Sequence, residues 1–357
     1  MSIKAQGSWP YLAFLCAVLP LGSLSQANAQ PKKFTTKVIE YKGWKKNLLV
    51  TNGDVELIVT LDVGPRIISY RLPGGKNVFH EYKDQLGKTG EKKWQIRGGH
   101  RLWTAPEDKT RTYFPDNNPV KYKLVGKSGV RFTPPPELIY GVQKEIEVHL
   151  APKGTKVKVV HRIKNIKGAT ASRAASIKLA PWCLSVMAPG GLEIIPLPKS
   201  RPHPGPPENA KKDSDYWPSL KVIFWPFYQF GDPRVKFGKK YITVKQQPGA
   251  KKPLKFGLLH MLEWIAYLVD GNLFVKRIPR PNKNAKYADL GCNFETWTDG
   301  DMLEVETLGP LANLLPGETV EHVERWELFG NLPATRTKSD IDRNVLPKVI
   351  RKRMPRK

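Results

Sequence analysis

Cysteine is scarce in this sequence: three occur in 357 residues. None belongs to a Cys-x-x-Cys pair or to a Cys/His group with the spacing of a zinc site. The sequence therefore predicts neither a structural metal nor another cofactor. Cys183 and Cys292 are the two that follow the N-terminal region. They form either one disulfide, which an oxidising compartment would permit, or two small buried side chains.

Long apolar runs are missing after the first 29 residues, which excludes a later membrane-spanning helix. Residues 1–29 have the pattern of a secretory signal peptide. Lys4 precedes an apolar run over residues 11–21, and Ala27-Asn28-Ala29 supplies the small residues of a cleavage site. We expect cleavage after Ala29 and a secreted or periplasmic protein, with an uncleaved membrane anchor as the alternative.

Acidic residues are outnumbered: 32 Asp and Glu stand against 59 Lys and Arg, which gives a net charge of +27. This excess suggests an anionic surface or polymer as a partner, since basic clusters bind phosphate backbones. Export, dispersed lysines and the lack of a recognisable nucleic-acid-binding pattern argue against nucleic acid. Residues 334–357 are assigned to a basic C-terminal tail, whose last fifteen residues hold seven basic and no acidic side chains.

Sustained helical periodicity is rare, as 32 prolines and 29 glycines would lead one to expect. Hydrophobic residues at 40% are sufficient for a large core, which excludes a collagen or a wholly disordered chain. Apolar residues instead alternate with polar ones around residues 55–61, 145–150 and 156–163, the pattern of half-buried strands. Asn52-Gly53, Asp270-Gly271 and Asp299-Gly300 are typical hairpin turns. The sequence predicts an all-β fold of two packed antiparallel sheets.

No internal repeat divides the chain, and the strand-like segments continue on both sides of a Pro-rich stretch at residues 196–218. We interpret this stretch as a long exposed loop inserted into one domain that covers residues 30–333. Long loops of this kind are often functional.

One candidate site is the string from Gln95 to Trp103, which continues to Glu107. Its two glycines permit a sharp turn or a close backbone approach. Indole rings offer a flat apolar face for a sugar ring, and charged side chains can bind hydroxyls. The alternative is a purely structural bend. The candidate binding and catalytic residues here are Arg97, His100, Arg101, Trp103 and Glu107.

A second candidate is the segment from Leu303 to Pro310, in which strand alternation places Glu304 and Glu306 on one face. On a concave face, one carboxylate could act as a base. On a convex face, both would be solvated. Trp182 is a further pocket candidate, although its apolar segment favours core packing. Trp264, Lys276 and Glu295 are others, each equally compatible with pocket lining and with ordinary packing in a sheet.

Four motifs together resemble the galactose mutarotase-like superfamily, that of the aldose 1-epimerases, and more narrowly its DUF4380 family. They are GGHRLW at Gly98–Trp103, WCLSVMAPGG at Trp182–Gly191, LFVKR at Leu273–Arg277 and LEVETLGPLANLLPGE at Leu303–Glu318. The resemblance covers residues 45–328 and implies an antiparallel β-supersandwich.

The resemblance implies roles for individual residues. Glu306 matches the glutamate that removes the anomeric proton in aldose epimerases, and Arg97 matches the sugar-binding arginine of an Arg-Gly-Gly motif. The histidine that serves as general acid in that family should fall within Pro181–Met187, where this sequence has none. His100 is the candidate substitute.

The sequence thus favours an exported carbohydrate-binding protein whose ligand could be an anionic sugar or polysaccharide. The first alternative is a sugar-active enzyme, either an epimerase with Glu306 as base and His100 as acid or a lyase or hydrolase on the same scaffold. The second is a binder of anionic surfaces or nucleic acid. Nothing in the sequence specifies an oligomeric state.

Overall fold

The computed structural model describes residues 33–168 and 175–350. The predicted signal peptide and the last seven residues of the predicted tail lie outside these ranges. Two antiparallel sheets account for nearly all of the regular structure that is described. The predicted all-β architecture is therefore confirmed.

The first sheet has eleven strands in the order β1-β2-β3-β4-β5-β10-β19-β18-β15-β12, with β20 paired to β10. The bounds of these strands are β1 Thr35–Tyr41, β2 Trp44–Thr51, β3 Glu56–Thr60, β4 Ile67–Arg71, β5 Gly99–Ala105, β10 Ile177–Met187, β12 Val222–Phe224, β15 Leu254–Leu258, β18 Phe294–Thr298, β19 Leu303–Leu308 and β20 Ala312–Leu314.

The second sheet has ten strands in the order β13-β14-β11-β16-β17-β21-β9-β8-β7-β6. Their bounds are β6 Lys121–Val125, β7 Gly129–Thr133, β8 Val142–Leu150, β9 Val157–Asn165, β11 Leu192–Pro196, β13 Val235–Phe237, β14 Tyr241–Lys245, β16 Trp264–Val269, β17 Asn272–Arg277 and β21 Thr319–Phe329.

The predicted hairpin turns lie where the sequence placed them. Asn52-Gly53 lies in the connection from β2 to β3, Asp270-Gly271 joins β16 to β17, and Asp299-Gly300 begins the connection from β18 to β19. Asp270 and Gly271 both have positive φ, as a type I′ turn requires, and this turn matches the twist of the flanking strands.

The main core lies between the two sheets, because alternate residues of each strand point inward. Leu102, Val305 and Phe256 represent the first sheet in this core, and Phe274 and Trp326 represent the second. Cys183 and Cys292 are buried free thiols. The structure therefore supports two separate buried side chains and not a disulfide between them. Among the described residues, no helix is long and apolar enough to cross a membrane.

The segment after β21 packs on the outer face of the second sheet. It contains α1 (Lys338–Asp340), a π-helical turn (Ile341–Val345) and α2 (Leu346–Val349). Ile341, Val345 and Val349 are buried against outward-facing residues of β11, β14, β16 and β17. Within the Pro-rich loop, short 3₁₀ turns occur at Pro207–Asn209 and Asp213–Asp215.

Candidate functional site

A pocket of about 320 Å³ lies on the outer face of the first sheet, over β5, β10, β19, β18 and β15. Its volume is within the range of small-molecule sites, roughly 300–1,000 Å³. We call it the tryptophan pocket because aromatic rings form much of its wall: Trp94, Trp103, Tyr113, Trp182, Trp225, Phe227 and Trp297. Its charged lining residues are Arg101, Glu107, Lys255, Asp299, Glu304 and Glu306.

Strand pairing explains how distant residues converge here. Leu184 of β10 lies opposite both Arg101 of β5 and Glu306 of β19. Glu306 in turn lies opposite Glu295 of β18. Because neighbours in an antiparallel sheet point to the same face, all four side chains lie on the outer side.

Lys255 bridges two buried carboxylates at the base of the pocket. Its Nζ lies 3.2 Å from Oε2 of Glu306 and 2.8 Å from Oε2 of Glu295. Trp182 Nε1 donates to the same Glu306 oxygen at 2.8 Å. Oε1 of Glu306 is buried and has no hydrogen-bond partner. Burying a polar atom without a partner is costly, so this oxygen is an unsatisfied acceptor in a residue of the pocket lining.

Burial and mutual charge shift the pKa values of Glu306, Glu295 and Lys255. Burial raises the pKa of Glu306 to about 7, against the stabilising effect of the Lys255 ammonium on the carboxylate. Burial also raises the pKa of Glu295 well above its usual value, although the Lys255 ammonium opposes this shift. Although burial alone would lower it, the pKa of Lys255 is raised by Glu306 and Glu295. Lys255 therefore remains an ammonium.

Arg101 forms a second charged group in the pocket. Its Nη2 lies 2.9 Å from Oε1 of Glu304, and its guanidinium carbon is 4.1 Å from the ring centroid of Trp103 and 5.2 Å from that of Trp94. Nε and Nη1 of Arg101 are buried without hydrogen-bond partners. The pocket lining therefore contains unsatisfied donors beside an aromatic face, a combination that suits a ligand with both hydroxyl groups and an apolar ring face.

Five of the ten site residues proposed from sequence line the tryptophan pocket together. These are Arg101, Trp103, Glu107, Trp182 and Glu306. Glu295 is adjacent to them, beneath Lys255, and contacts the pocket through that ammonium. The other four lie elsewhere.

Arg97 is buried beneath the loop that precedes β5. Its guanidinium pairs with Glu91 at 2.6 Å, donates to Asn117 at 2.8 Å and donates to the Lys88 carbonyl oxygen at 2.9 Å. These bonds hold the loop and leave Arg97 outside the lining of the tryptophan pocket. Its role as a sugar-binding residue therefore finds no support in this geometry.

His100 points to the other face of the first sheet, because it alternates with Arg101 along β5. Its Nδ1 bonds Ser185 Oγ at 2.9 Å and its Nε2 bonds Nε2 of His161 at 2.7 Å. The strand thus separates His100 from Glu306. The two cannot act together on one substrate, which removes the geometric basis for His100 as the acid partner of Glu306.

Lys276 and Trp264 belong to the second sheet. Lys276 lies between the sheets, 3.0 Å from Oε1 of Glu324, and donates to the Val305 carbonyl oxygen at 2.9 Å. Trp264 packs against Tyr241 beside the C-terminal segment. Neither residue reaches the tryptophan pocket.

The inter-sheet polar cluster could offer metal ligands, since atoms of His100, His161 and Glu324 lie within 4.8 Å of one another. Both ring nitrogens of His100 and of His161 already have hydrogen-bond partners. Lys276 supplies a positive charge to Glu324. Although burial opposes ionisation, Lys276 lowers the pKa of the Glu324 carboxyl. The cluster therefore satisfies its charges and hydrogen bonds internally.

Sequence reasoning missed Lys255, Trp225, Trp94 and Tyr113. Lys255 had one signal, a single charge between Leu254 and Phe256 in a short apolar strand. Trp225 follows β12 and enters the pocket only because β12 pairs with β15. No local pattern indicates that pairing.

Several solved structures share the fold, and two of them are described here. One is a galactose mutarotase-like protein from Lactobacillus casei, with a TM-score of 0.51 and 11% identity over 79% of this chain and 100% of that one. The other is a TPR-domain containing protein from Parabacteroides distasonis, with a TM-score of 0.51 and 15% identity over 81% of this chain. This chain spans 48% of that second protein.

These similarities, together with the two antiparallel sheets, confirm the predicted galactose mutarotase-like β-sandwich fold. No family model and no curated protein sequence matches the chain. The narrower DUF4380 resemblance stays a prediction.

Proposed function

We propose that the protein is an exported carbohydrate-binding protein and that the tryptophan pocket holds the sugar. The main support for this proposal is that two indole rings and two charged side chains from strands of the first sheet line one cavity. They are Trp103, Trp182, Arg101 and Glu306. Aromatic faces stack on the C–H groups of a sugar ring, while unpaired donors and acceptors bind its hydroxyls.

The charge of the pocket favours a neutral or amino sugar. Its lining contains two cations, Arg101 and Lys255, against four acidic residues, Glu107, Asp299, Glu304 and Glu306. Both cations already pair with carboxylates. An anionic ring would therefore meet a surplus of acidic groups, so the overall positive charge of the chain does not extend to this pocket.

The second candidate is an aldose epimerase with Glu306 as general base. A pKa of about 7 suits this role, because a base is most effective when its pKa lies near the working pH. Mutarotation also needs a proton delivered to the ring oxygen. Lys255 is the cation nearest Glu306, but its raised pKa makes it a weak acid. The pocket thus has a suitable base but no effective acid, which favours binding over catalysis.

One experiment separates binding from catalysis. Tryptophan fluorescence of the mature protein is titrated with neutral hexose oligosaccharides, glucosamine oligomers and oligogalacturonate, and mutarotation of freshly dissolved hexoses is followed by polarimetry. We expect saturable quenching by neutral or amino sugars, weaker binding in Glu306→Gln and no acceleration of mutarotation. Quenching by none of the sugars would refute the binding proposal. Acceleration that Glu306→Gln abolishes would establish the epimerase instead.

A further inference from the structure

A large cavity whose charged lining residues are all basic lies on the second sheet, whereas the tryptophan pocket lies on the first. It has a volume of about 750 Å³ and is formed by β13, β14, the start of β11 and the segment around α1. We call it the basic groove. Its charged lining residues are Arg234, Lys236, Lys239, Lys240, Lys245, Arg336 and Lys338.

Strand pairing builds one wall of the basic groove. Lys236 of β13 lies opposite Thr243 of β14, and Lys245 lies two residues further along the same face of β14. This face points outward, since Tyr241 on it packs with the C-terminal segment. The other wall comes from Arg336 and Lys338, which the turns of that segment place across the groove.

Most of these cations lack an intramolecular partner. Arg234 pairs with Asp232 at 2.7 Å, and Lys240 pairs with Asp342 at 2.8 Å. The remaining five make no ion pair with any described residue, and no acidic residue lines the groove. All five are solvent-exposed: Lys236, Lys239, Lys245, Arg336 and Lys338. Unpaired cations that line one groove make its electrostatic potential positive, which attracts anions.

The form of the groove indicates the kind of anion. Its free cations are spread along two walls on long exposed side chains, and none is buried as a fixed donor. Such an array suits a polymer with regularly spaced charges better than one small anion. Tyr241 is the one aromatic residue among the lining residues, and it is buried with its hydroxyl donating to Asp342. The groove thus lacks the exposed stacking platform that single-stranded nucleic acids use.

We propose that the basic groove is a second ligand site that binds an acidic polysaccharide, one bearing sulfate or carboxylate groups. This site is independent of the tryptophan pocket, which lies on the other sheet and has an acidic lining. The protein would then hold a charged polymer through one face while its tryptophan pocket takes a neutral or amino sugar.

The test measures fluorescence anisotropy of the full chain with a fluorescein-labelled sulfated oligosaccharide, and with labelled single-stranded DNA and uncharged dextran as comparisons. The groove variant is Lys236→Gln/Lys245→Gln/Arg336→Gln. Its matched control is Lys37→Gln/Lys121→Gln/Lys123→Gln, which removes the same charge from exposed, unpaired positions on β1 and β6. Each protein is measured at two salt concentrations.

We expect the groove variant to bind the sulfated oligosaccharide about tenfold more weakly, as the loss of three exposed ion pairs implies. Its affinity should also depend less steeply on salt. The control variant should retain native affinity. Equal losses in the groove variant and the control, or DNA binding as tight as that of the oligosaccharide, would overturn the proposal.

Discussion

Glu306 and Glu295 lie directly opposite each other on β19 and β18, and one ammonium, that of Lys255, contacts both carboxylates. Two buried carboxylates that share one cation cannot both ionise at low cost. Burial raises the pKa of Glu295 well above its usual value and that of Glu306 to about 7. The pair therefore places a carboxyl group with a pKa near neutrality, that of Glu306, at the base of an aromatic pocket.

Lys255→Met should raise the pKa of Glu306 above about 7, because the buried carboxylate loses its nearest cation. When folding raises the pKa of a carboxyl group, the native state loses stability as the pH rises from the ordinary pKa of the group to its raised value. Removing one partner of a buried ion pair costs about 3–5 kcal/mol, so the loss of stability should be larger at pH 8 than at pH 5. Carbon-detected NMR titration of the glutamate side chains and urea unfolding at both pH values measure these effects.

Lys123→Met is the control for this substitution, since Lys123 is exposed on β6 and has no ion pair. It should leave both the titration and the unfolding midpoint unchanged. An unaltered Glu306 titration in Lys255→Met would contradict the assigned ion pair.

Trp225→Ala should weaken the binding of the neutral or amino sugar about tenfold, because buried aromatic contacts in binding sites each contribute about 1–2 kcal/mol. Trp225 is part of the pocket wall, and its ring centroid lies 4.7 Å from Lys255 Nζ. Fluorescence titration and calorimetry with the same oligosaccharide measure the loss. Trp217→Ala is the matched control, since Trp217 is 67% exposed in the Pro-rich loop. Equal affinity in the two variants would place the sugar outside this pocket.

His322→Gln should change how stability depends on pH. Burial lowers the pKa of His322 to about 4, so the unfolded chain binds a proton between about pH 6.5 and 4 that the folded protein excludes. The native histidine therefore reduces stability as pH falls through this window. Relative to wild type, the variant should gain about 3 kcal/mol between pH 6.5 and pH 4.

Comparison with wild type cancels the opposite contributions of Glu306 and Glu295, whose raised pKa values favour folding at low pH. Urea unfolding at several pH values gives the difference. His203→Gln, at an exposed position, should follow the wild-type profile. A constant offset between His322→Gln and wild type would show that His322 is not held neutral.

Gly98→Ala should destabilise the protein strongly. Gly98 has φ of +96°, and a Cβ there would lie 2.0 Å from the His80 carbonyl oxygen. Positive φ costs about 1–2 kcal/mol for a non-glycine residue, and the overlap adds about 1–3 kcal/mol. Gly154→Ala separates the two effects, because Gly154 has φ of +75° with nothing within 4 Å of its Cβ. Thermal unfolding should rank Gly98→Ala below Gly154→Ala, and equal values would remove the steric explanation.

Local patterns predicted the fold class of this protein and several of its strands and turns. Alternation of apolar and polar residues defines a strand within a few positions, and Asp270-Gly271 specifies a turn by its own backbone preferences. The same alternation placed Glu304 and Glu306 on one face, and the structure confirms that both line the pocket. It also indicates that His100 and Arg101, as neighbours on a strand, face opposite ways, although the motif suggested a joint role.

The membership of the tryptophan pocket required the tertiary structure. Trp103, Trp182, Lys255 and Glu306 come from four strands that are distant in sequence and meet through pairings that no local signal specifies. The distribution of charge over the surface likewise depends on the tertiary structure. The sequence determined a net charge of +27, but only the fold decided that acidic groups dominate the pocket while unpaired lysines and arginines gather in a groove on the other sheet. Composition sums charges over the whole chain, whereas binding depends on which of them the strand order brings within a few ångströms.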